Sequence, residues 1–372
     1  MAGDLVVVDG SCLGYEHGGF LRFGKGLIRE LPRCLSGERL EVWSEGKVKC
    51  GPRGVVKQKG EWPCALAESG ARIFHDLTNG NQMSWSSVFP RSCRLVLTLH
   101  DVIPSSLARN GSDRGYREGL MRLLERASAV VTVSESAKAE IVRLFGIDPG
   151  MIRVVYPGVA RFAPVSRLEA RRLSARLGVR AESCVVLTVG TNREYKNLGL
   201  LISALPRLKD ALGDVQLVIA GHLSASVLTG WYLRAYQLGA KDEIVFAGRV
   251  SDDELGLLYH AADVFAYPSR IEGFGMPPVE AVLCGTPVVV SDIPAFQELL
   301  HDAGPLVSPG NSAEWVDAIV GVARKGRAAG RPKLAERRLS RLTWRRCAEA
   351  YSGVYREVLG GGGVGLSVEM RG

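Results

Sequence analysis

Pro268-Ser-Arg-Ile-Glu272-Gly-Phe-Gly-Met-Pro-Pro-Val-Glu280-Ala-Val-Leu-Cys-Gly285-Thr-Pro-Val-Val-Val-Ser-Asp292 decides how this chain folds, because it holds a loop, a helix start, a helix stop and a buried strand in succession. Gly273 and Gly275 permit close backbone approach and unusual dihedrals, while Pro277 and Pro278 suit only the first turn of a helix. The pattern predicts a helix from about Pro277 to Leu283 or Cys284, stopped by Gly285, then a strand over 287–290. Glu272 then lies in the loop before the helix and Glu280 in its first turns. Free N–H groups between them favour a phosphate. Loop glycines are common, however, and two acids eight positions apart arise by chance, so the carboxylates alone carry little.

Working outward, strands alternate with helices. Strands are expected at 5–8, 40–43, 71–74, 95–99 and 129–133, with helices over 22–31 and 116–127. After a basic, polar connection running to Arg180, a second set follows at 185–189, 216–220, 244–246, 264–267 and 288–290. Such alternation implies parallel sheets covered on both faces, α/β in class, with ligands outside the carboxyl ends of the strands. The Gly- and Lys-rich segment Lys47–Trp62 is poorly patterned, and the tail from Gly360 to Gly372 reads as disordered.

At 372 residues the chain can hold two domains of ordinary size, and 46% apolar with 23% charged residues is the balance of a globular protein. No apolar run reaches the roughly 18 residues that a membrane span needs, and the N-terminus lacks a signal peptide pattern, so a cytoplasmic location is expected. The scattered cysteines form no Cys-x-x-Cys pair and read as reduced and structural. A net charge of +8 favours an acidic partner: a phosphorylated substrate or an anionic membrane surface. No binding motif or interleaving of aromatics with basic residues supports nucleic acid.

Several residues that could carry chemistry directly follow strands. Gly190-Thr-Asn-Arg193-Glu-Tyr-Lys196-Asn197 places two cations where a diphosphate could be gripped, though a basic helix cap would look the same. His100-Asp101 ends the fourth strand; a lone His there can equally be structural. Gly18 and Gly19 follow the first strand and can form a plain turn. Asp252 and Asp253 read as helix-capping residues. There is no Asp-x-Asp, and neither His75-Asp76 nor His222 has partners at ligand spacing, so no metal and no cofactor are expected. The absence of Gly-x-Gly-x-x-Gly after the first strand speaks against a nicotinamide dehydrogenase.

The run from Pro268 to Asp292 closely resembles the nucleotide-sugar signature of glycosyltransferase family 4, retaining enzymes of the GT-B fold, whose Glu-x7-Glu is followed by a small-residue helix and Gly-x-Pro-Val-Val. Gly190 to Asn197 resembles the family's Gly-x-x-x-x-x-Lys-Asn, although many members place Arg where this chain has Thr191. The resemblance implies two Rossmann-like parallel-sheet domains facing across a cleft. An acceptor domain would span 1–160, a nucleotide-sugar domain 161–337, and helices over 338–359 would cross back to the first. It implies that Lys196 and Arg193 stabilise the leaving diphosphate and that Glu272 holds the sugar hydroxyls. Glu280 would bind the ribose, and Gly18, Gly19, Gly190, Thr191, Gly273, Phe274 and Gly275 would approach the donor. Arg249 and Val250 would lie by the nucleobase and His100 by the donor sugar or reacting centre.

The implied activity is metal-independent hexosyl transfer with retention. The donor is a nucleoside diphosphate sugar, with GDP-mannose leading by likeness to bacterial mannosyltransferases of surface-polysaccharide assembly and UDP-sugars as the alternative. The acceptor would be a glycan or lipid-linked oligosaccharide. Peripheral contact with an anionic membrane at its inner face, through the basic-apolar helix Arg117–Arg126, stays open beside an ordinary solvated helix. A nucleotide-sugar 2-epimerase and a non-catalytic binding module are the remaining rivals.

Overall fold

A computed structural model describes residues 3–14, 18–44, 54–56, 62–80, 89–107, 113–191, 193–330 and 333–360. His17, residues 45–53 and 57–61 of the Gly- and Lys-rich region, and the tail after Gly360 lie outside them. The chain divides into two compact units: Met1–Gly158 with Leu342–Gly372, and Val159–Arg341.

The first unit is built on a parallel sheet of β1 (Leu5–Asp9), β2 (Arg39–Ser44), β3 (Gly54–Val56), β4 (Ala71–Asp76), β5 (Arg94–Leu99), β6 (Ala127–Thr132) and β7 (Ile152–Val154), in the order β3-β2-β1-β4-β5-β6-β7. The second holds β8 (Cys184–Val189), β9 (Val215–Ala220), β10 (Ile244–Gly248), β11 (Val264–Tyr267), β12 (Val288–Ser291) and β13 (Leu306–Val307), in the order β10-β9-β8-β11-β12-β13. Val/Ile/Leu-rich runs buried along their whole length, as in β1, β9 and β12, are what a sheet covered on both faces requires. Short edge strands β3, β7 and β13 escape the pattern because none has an apolar run long enough to register.

Each sheet reverses its winding once, between β1 and β4 and between β8 and β11. Such a switch point leaves a crevice beyond the carboxyl ends of the two strands, where α/β folds bind ligands. In the second unit, helix Gly199–Leu212 buries Leu201, Leu205 and Leu208, at helical spacing, against Leu217 and Ile219 of the sheet and Trp315 of helix Ser312–Gly330. Truncating Leu205 to Ala would cost on the order of 2–5 kcal/mol.

Helix Trp344–Gly360 completes the first unit. Trp344 packs against backbone that only glycine can offer: a Cβ on Gly26 would lie 2.1 Å from its ring, and one on Gly158 2.3 Å from its nitrogen. Further along, Tyr355 OH is 2.6 Å from His75 Nδ1, and Tyr351 OH is 2.9 Å from Thr98 Oγ1, which in turn is 2.7 Å from His75 Nε2. Helix Lys333–Leu339 stays with the second unit, where Arg338 donates to Leu299 O at 2.7 Å and pairs with Asp302. The division therefore falls after Arg341, beyond that helix.

Candidate active site

The second unit's switch point is assembled from strand ends. β8, β9 and β10 are each followed or closed by glycine: Gly190, Gly221 and Gly248. Gly190 N donates to Ala220 O at 2.9 Å and Gly221 N to Gly248 O at 2.8 Å. Gly221 has φ 136°, and a Cβ on it would lie 1.9 Å from Gly190 O. Three backbones thus leave the sheet in contact, a packing that no side chain at Gly221 permits. Gly221 went unnoticed in the sequence; an apolar strand ending abruptly in glycine is the signal for it.

Beyond Gly190 the chain makes one 3-10 turn, Glu194–Lys196, ended by Asn197 in the left-handed region at φ 56°. Asn197 Nδ2 donates to Pro268 O at 3.1 Å and to Pro309 O at 2.9 Å. Arg270 N donates to Tyr195 O at 2.7 Å. These bonds tie the loop after β8 to the loop after β11. The Asn of the Lys-Asn pair is therefore the clamp that sets where Lys196 can reach.

Lys196 Nζ donates to Glu272 Oε1 at 2.6 Å and to the hydroxyl of Tyr267, the last residue of β11, at 3.0 Å. The ammonium also lies 5.2 Å and 5.4 Å from the ring centroids of Tyr195 and Tyr267. The pair is largely enclosed, with side-chain exposures of 15% and 8%. Burial works against the charge on Lys196, but the Glu272 carboxylate and the two tyrosines outweigh it, and the ammonium's pKa is raised. Burial, and then the Glu272 charge, raise the Tyr267 hydroxyl in the same way, so it stays protonated. Tyr267 was not singled out in the sequence, where it reads as one more apolar strand residue.

Past Glu272, Gly273, Phe274 and Gly275 are buried and helix Met276–Leu283 begins with proline in its first turn. Gly275 is its N-cap at φ 84°, ψ 65°, and a Cβ there would lie 2.5 Å from Phe296 Cε1. Gly275 supplies no side-chain cap, and because Pro277 and Pro278 carry no N–H, Met276 N–H is the one backbone donor of the helix before Val279. Cys284 closes it and Gly285 turns the chain at φ 70°.

Glu280 lies where expected along the helix, but in the interior. It lies in the second turn with no exposed surface, and the Tyr259 hydroxyl donates to its Oε2 at 2.8 Å. Thr286 Oγ1 donates to Tyr259 O at 2.6 Å, fixing that tyrosine. The two acids are thus held apart, one by a lysine at the strand ends and one by a tyrosine inside the unit.

Thr191 is half-buried, and Arg193 is exposed with no ion-pair partner among the described residues. Arg249 is exposed and Val250 half-buried beyond β10. The capping role expected of Asp252 and Asp253 belongs to Ser251, which accepts from Glu254 N at 3.2 Å while Glu254 Oε2 accepts from Ser251 N at 2.8 Å. The two aspartates occupy the first turn, where their charge suits the helix dipole.

In the first unit, Gly18 caps helix Gly19–Glu30 at φ 110°, with no side-chain cap, and both glycines are exposed. His100 follows β5. Its backbone N donates to Asn79 Oδ1 at 2.6 Å, and its Nε2 lies 2.9 Å from Leu77 O. A carbonyl can only accept, so Nε2 carries the proton and Nδ1 keeps its lone pair. Phe20 and Phe23 meet the ring edge-on at 4.8 Å and 4.5 Å. Burial pushes its pKa down to about 4 against the pull of the Leu77 carbonyl, leaving a neutral ring at neutral pH. Among the described residues no group of three or more His, Cys, Asp or Glu could hold a metal, and no helix is long and apolar enough to cross a membrane.

Comparison with known proteins accounts for both units. The model of glycosyl transferases group 1 matches residues 170–332, and that of glycosyltransferase family 4 matches residues 75–161. The D-inositol 3-phosphate glycosyltransferase of Mycobacterium tuberculosis (strain ATCC 25618 / H37Rv) is 31% identical over 254 residues, which cover 65% of this chain and 51% of that protein. The chain thus spans about half the length of the curated relatives it matches. Among solved structures, sucrose-phosphate synthase from Thermosynechococcus elongatus superposes with a TM-score of 0.77 at 20% identity, covering 96% of this chain and 100% of its own. Anabaena HepE in complex with UDP-glucose does so with 0.77 at 19%, covering 95% and 98%. At these identities the structural likeness is one of fold. The chain therefore has the GT-B fold, and it matches the model of glycosyl transferases group 1 over residues 170–332 and that of glycosyltransferase family 4 over residues 75–161.

Proposed function

We propose that the chain is a retaining, metal-independent hexosyltransferase that moves mannose from GDP-mannose to a hydroxyl of a glycan or lipid-linked oligosaccharide. The observation that supports it is the Lys196 ammonium, held by Glu272 and Tyr267 at the carboxyl ends of β8 and β11. In the reaction the bond between the anomeric carbon and the diphosphate oxygen breaks, and its electron pair stays on the diphosphate. The acceptor oxygen bonds to the same face of that carbon, and its proton passes to the leaving diphosphate. Negative charge grows on the leaving group, where a fixed cation that cannot lose its proton near neutral pH stabilises the transition state more than the ground state. The Met276 N–H after Gly275, together with Arg193, adds to that charge stabilisation.

Glu272, facing the same ammonium, accepts from sugar hydroxyls in this reading. Glu280 contacts the ribose in this reading by exchanging the Tyr259 hydroxyl for a ribose hydroxyl. Arg249 and Val250 are assigned to the base, and Gly190 and Thr191 to the phosphate side. In the first unit, His100 offers a neutral ring with an acceptor nitrogen, and Gly18 and Gly19 an uncapped helix start.

GDP-mannose rests on the wording of the motifs; a UDP-sugar is the second reading, favoured by the UDP-glucose complex of HepE, which shares the fold. Thermal-shift titration against GDP-mannose, UDP-glucose, UDP-N-acetylglucosamine and ADP-glucose decides between them. A donor at 100 times its Kd adds about 2.7 kcal/mol to stability. Anomeric proton NMR of the product tests retention. No stabilisation by any of the four, or an inverted product, would overturn the proposal.

A further inference from the structure

We propose that helix Ala225–Gln237 of the second unit is a docking surface for an anionic lipid bilayer. The helix rests on its unit through Val227, Trp231, Ala235 and the following Leu238, residues at helical spacing that are buried or half-buried. Its opposite side carries Leu228, Tyr232, Leu233 and Tyr236, exposed by 38%, 50%, 53% and 62%. An ordinary surface helix turns its apolar stripe inward and its charges outward. This one leaves aliphatic and tyrosine side chains on the outside, and the tyrosines combine an apolar ring with a polar tip, as suits the headgroup level of a bilayer.

Charge selects the partner. From His222 to Lys241 the sequence contains no Asp or Glu, while Arg234 lies on the helix and Lys241 Nζ lies 5.8 Å from the Tyr236 ring centroid. Asp242 and Glu243 follow directly, but Glu243 is paired with Lys209 and Arg180 donates to Asp242 O, so the border of the apolar face is basic on balance and complements an anionic headgroup layer, and the net charge of +8 acts in the same sense. Two copies of this chain meeting here would instead bring like charges together.

In the basic helix expected to do this from the sequence, Arg122 is exposed while its other arginines reach back to the protein. Arg117 donates to Leu144 O at 2.8 Å, Arg126 to Phe89 O at 3.4 Å and Pro90 O at 3.3 Å, and Arg114 is paired with Glu118 at 2.7 Å.

The surface stands apart from the donor chemistry: a chain that binds vesicles but transfers no sugar would keep this surface and lose the proposed reaction. The test is flotation of the full chain with vesicles of phosphatidylcholine alone and with about 30 mol% phosphatidylglycerol added. Wild type should float only with the anionic vesicles. Leu233→Glu and Tyr236→Glu, both at exposed positions, should each weaken binding at least about tenfold without changing the melting temperature. Failure of wild type to float, undiminished binding by the variants, or a wild-type dimer in sedimentation velocity that Leu233→Glu dissolves would each overturn the proposal.

Discussion

Lys196 and Glu272 lie 76 positions apart in the chain yet meet at 2.6 Å, because β8 and β11 are neighbours at the point where the sheet reverses its winding. One residue comes from the loop after each strand. The ion pair closes that end of the sheet and keeps a permanent cation where the strand ends converge.

Lys196→Ala is expected to lower turnover by at least about 10²–10³-fold, the usual loss for a fixed group that stabilises developing charge. It also leaves an enclosed carboxylate without its partner, at a cost of about 2–3 kcal/mol, somewhat below that of a fully buried pair. Because the folded-state pKa of Lys196 is raised, its stabilisation is complete below the unfolded value near 10.5 and fades only as pH climbs past it. Initial rates and melts of the variant between pH 6 and 9 check both parts; the stability deficit should stay constant over that range.

Gly221→Ala should be severe. The added methyl would meet Gly190 O at 1.9 Å, and φ 136° is unsuited to an L side chain. Both partners are backbone, so β8 or β9 must move, costing about 3 kcal/mol or more. Denaturant titration measures the cost, and loss of the donor thermal shift would report that the Lys196 loop moved with it.

Tyr259→Phe removes the hydroxyl that donates to fully buried Glu280. Leaving that acid short of a donor should cost about 1–3 kcal/mol. If Glu280 trades this hydroxyl for a ribose hydroxyl, donor binding should recover part of the loss, so the donor-induced rise in melting temperature becomes larger in the variant than in wild type.

Stability should fall below pH 6.5. His75 is held down to about 3, by burial first and then by His100, and His100 to about 4 by burial. Both stay neutral in the fold while the unfolded chain takes up protons. Their contribution is present above pH 6.5 and drains away as pH falls towards the folded values, with a slope approaching about 1.4 kcal/mol per pH unit for each. Melting curves from pH 7.5 to 4.5 should show the decline, and His75→Gln should flatten it.

The helix at Met276–Leu283 was readable from two prolines and a terminal glycine, since each excludes most other conformations. The long buried strands were readable for the same reason: an unbroken Val/Ile/Leu run has few other places to go. Lys196 and Glu272 were both visible as candidates. Their contact was not, nor was Tyr267 as the third member, because a tyrosine inside an apolar strand is indistinguishable by pattern from a core residue. Asn197 and Gly221 act through backbone that is distant in sequence, which no local signal records.

By itself the sequence determined which segments become strands and helices, where loops must carry glycine, and which polar residues directly follow a strand. These are local matters of dihedral preference and apolar run length. Tertiary structure alone decided which strand ends are neighbours, and with that which acid receives the lysine. Two glutamates on one short stretch thereby acquired different partners: Glu272 the cation at the strand ends, Glu280 a tyrosine in the interior. The physical reason is that an ion pair or a buried hydrogen bond forms wherever packing brings its partners together, and packing follows the order of strands in the sheet rather than their order in the chain.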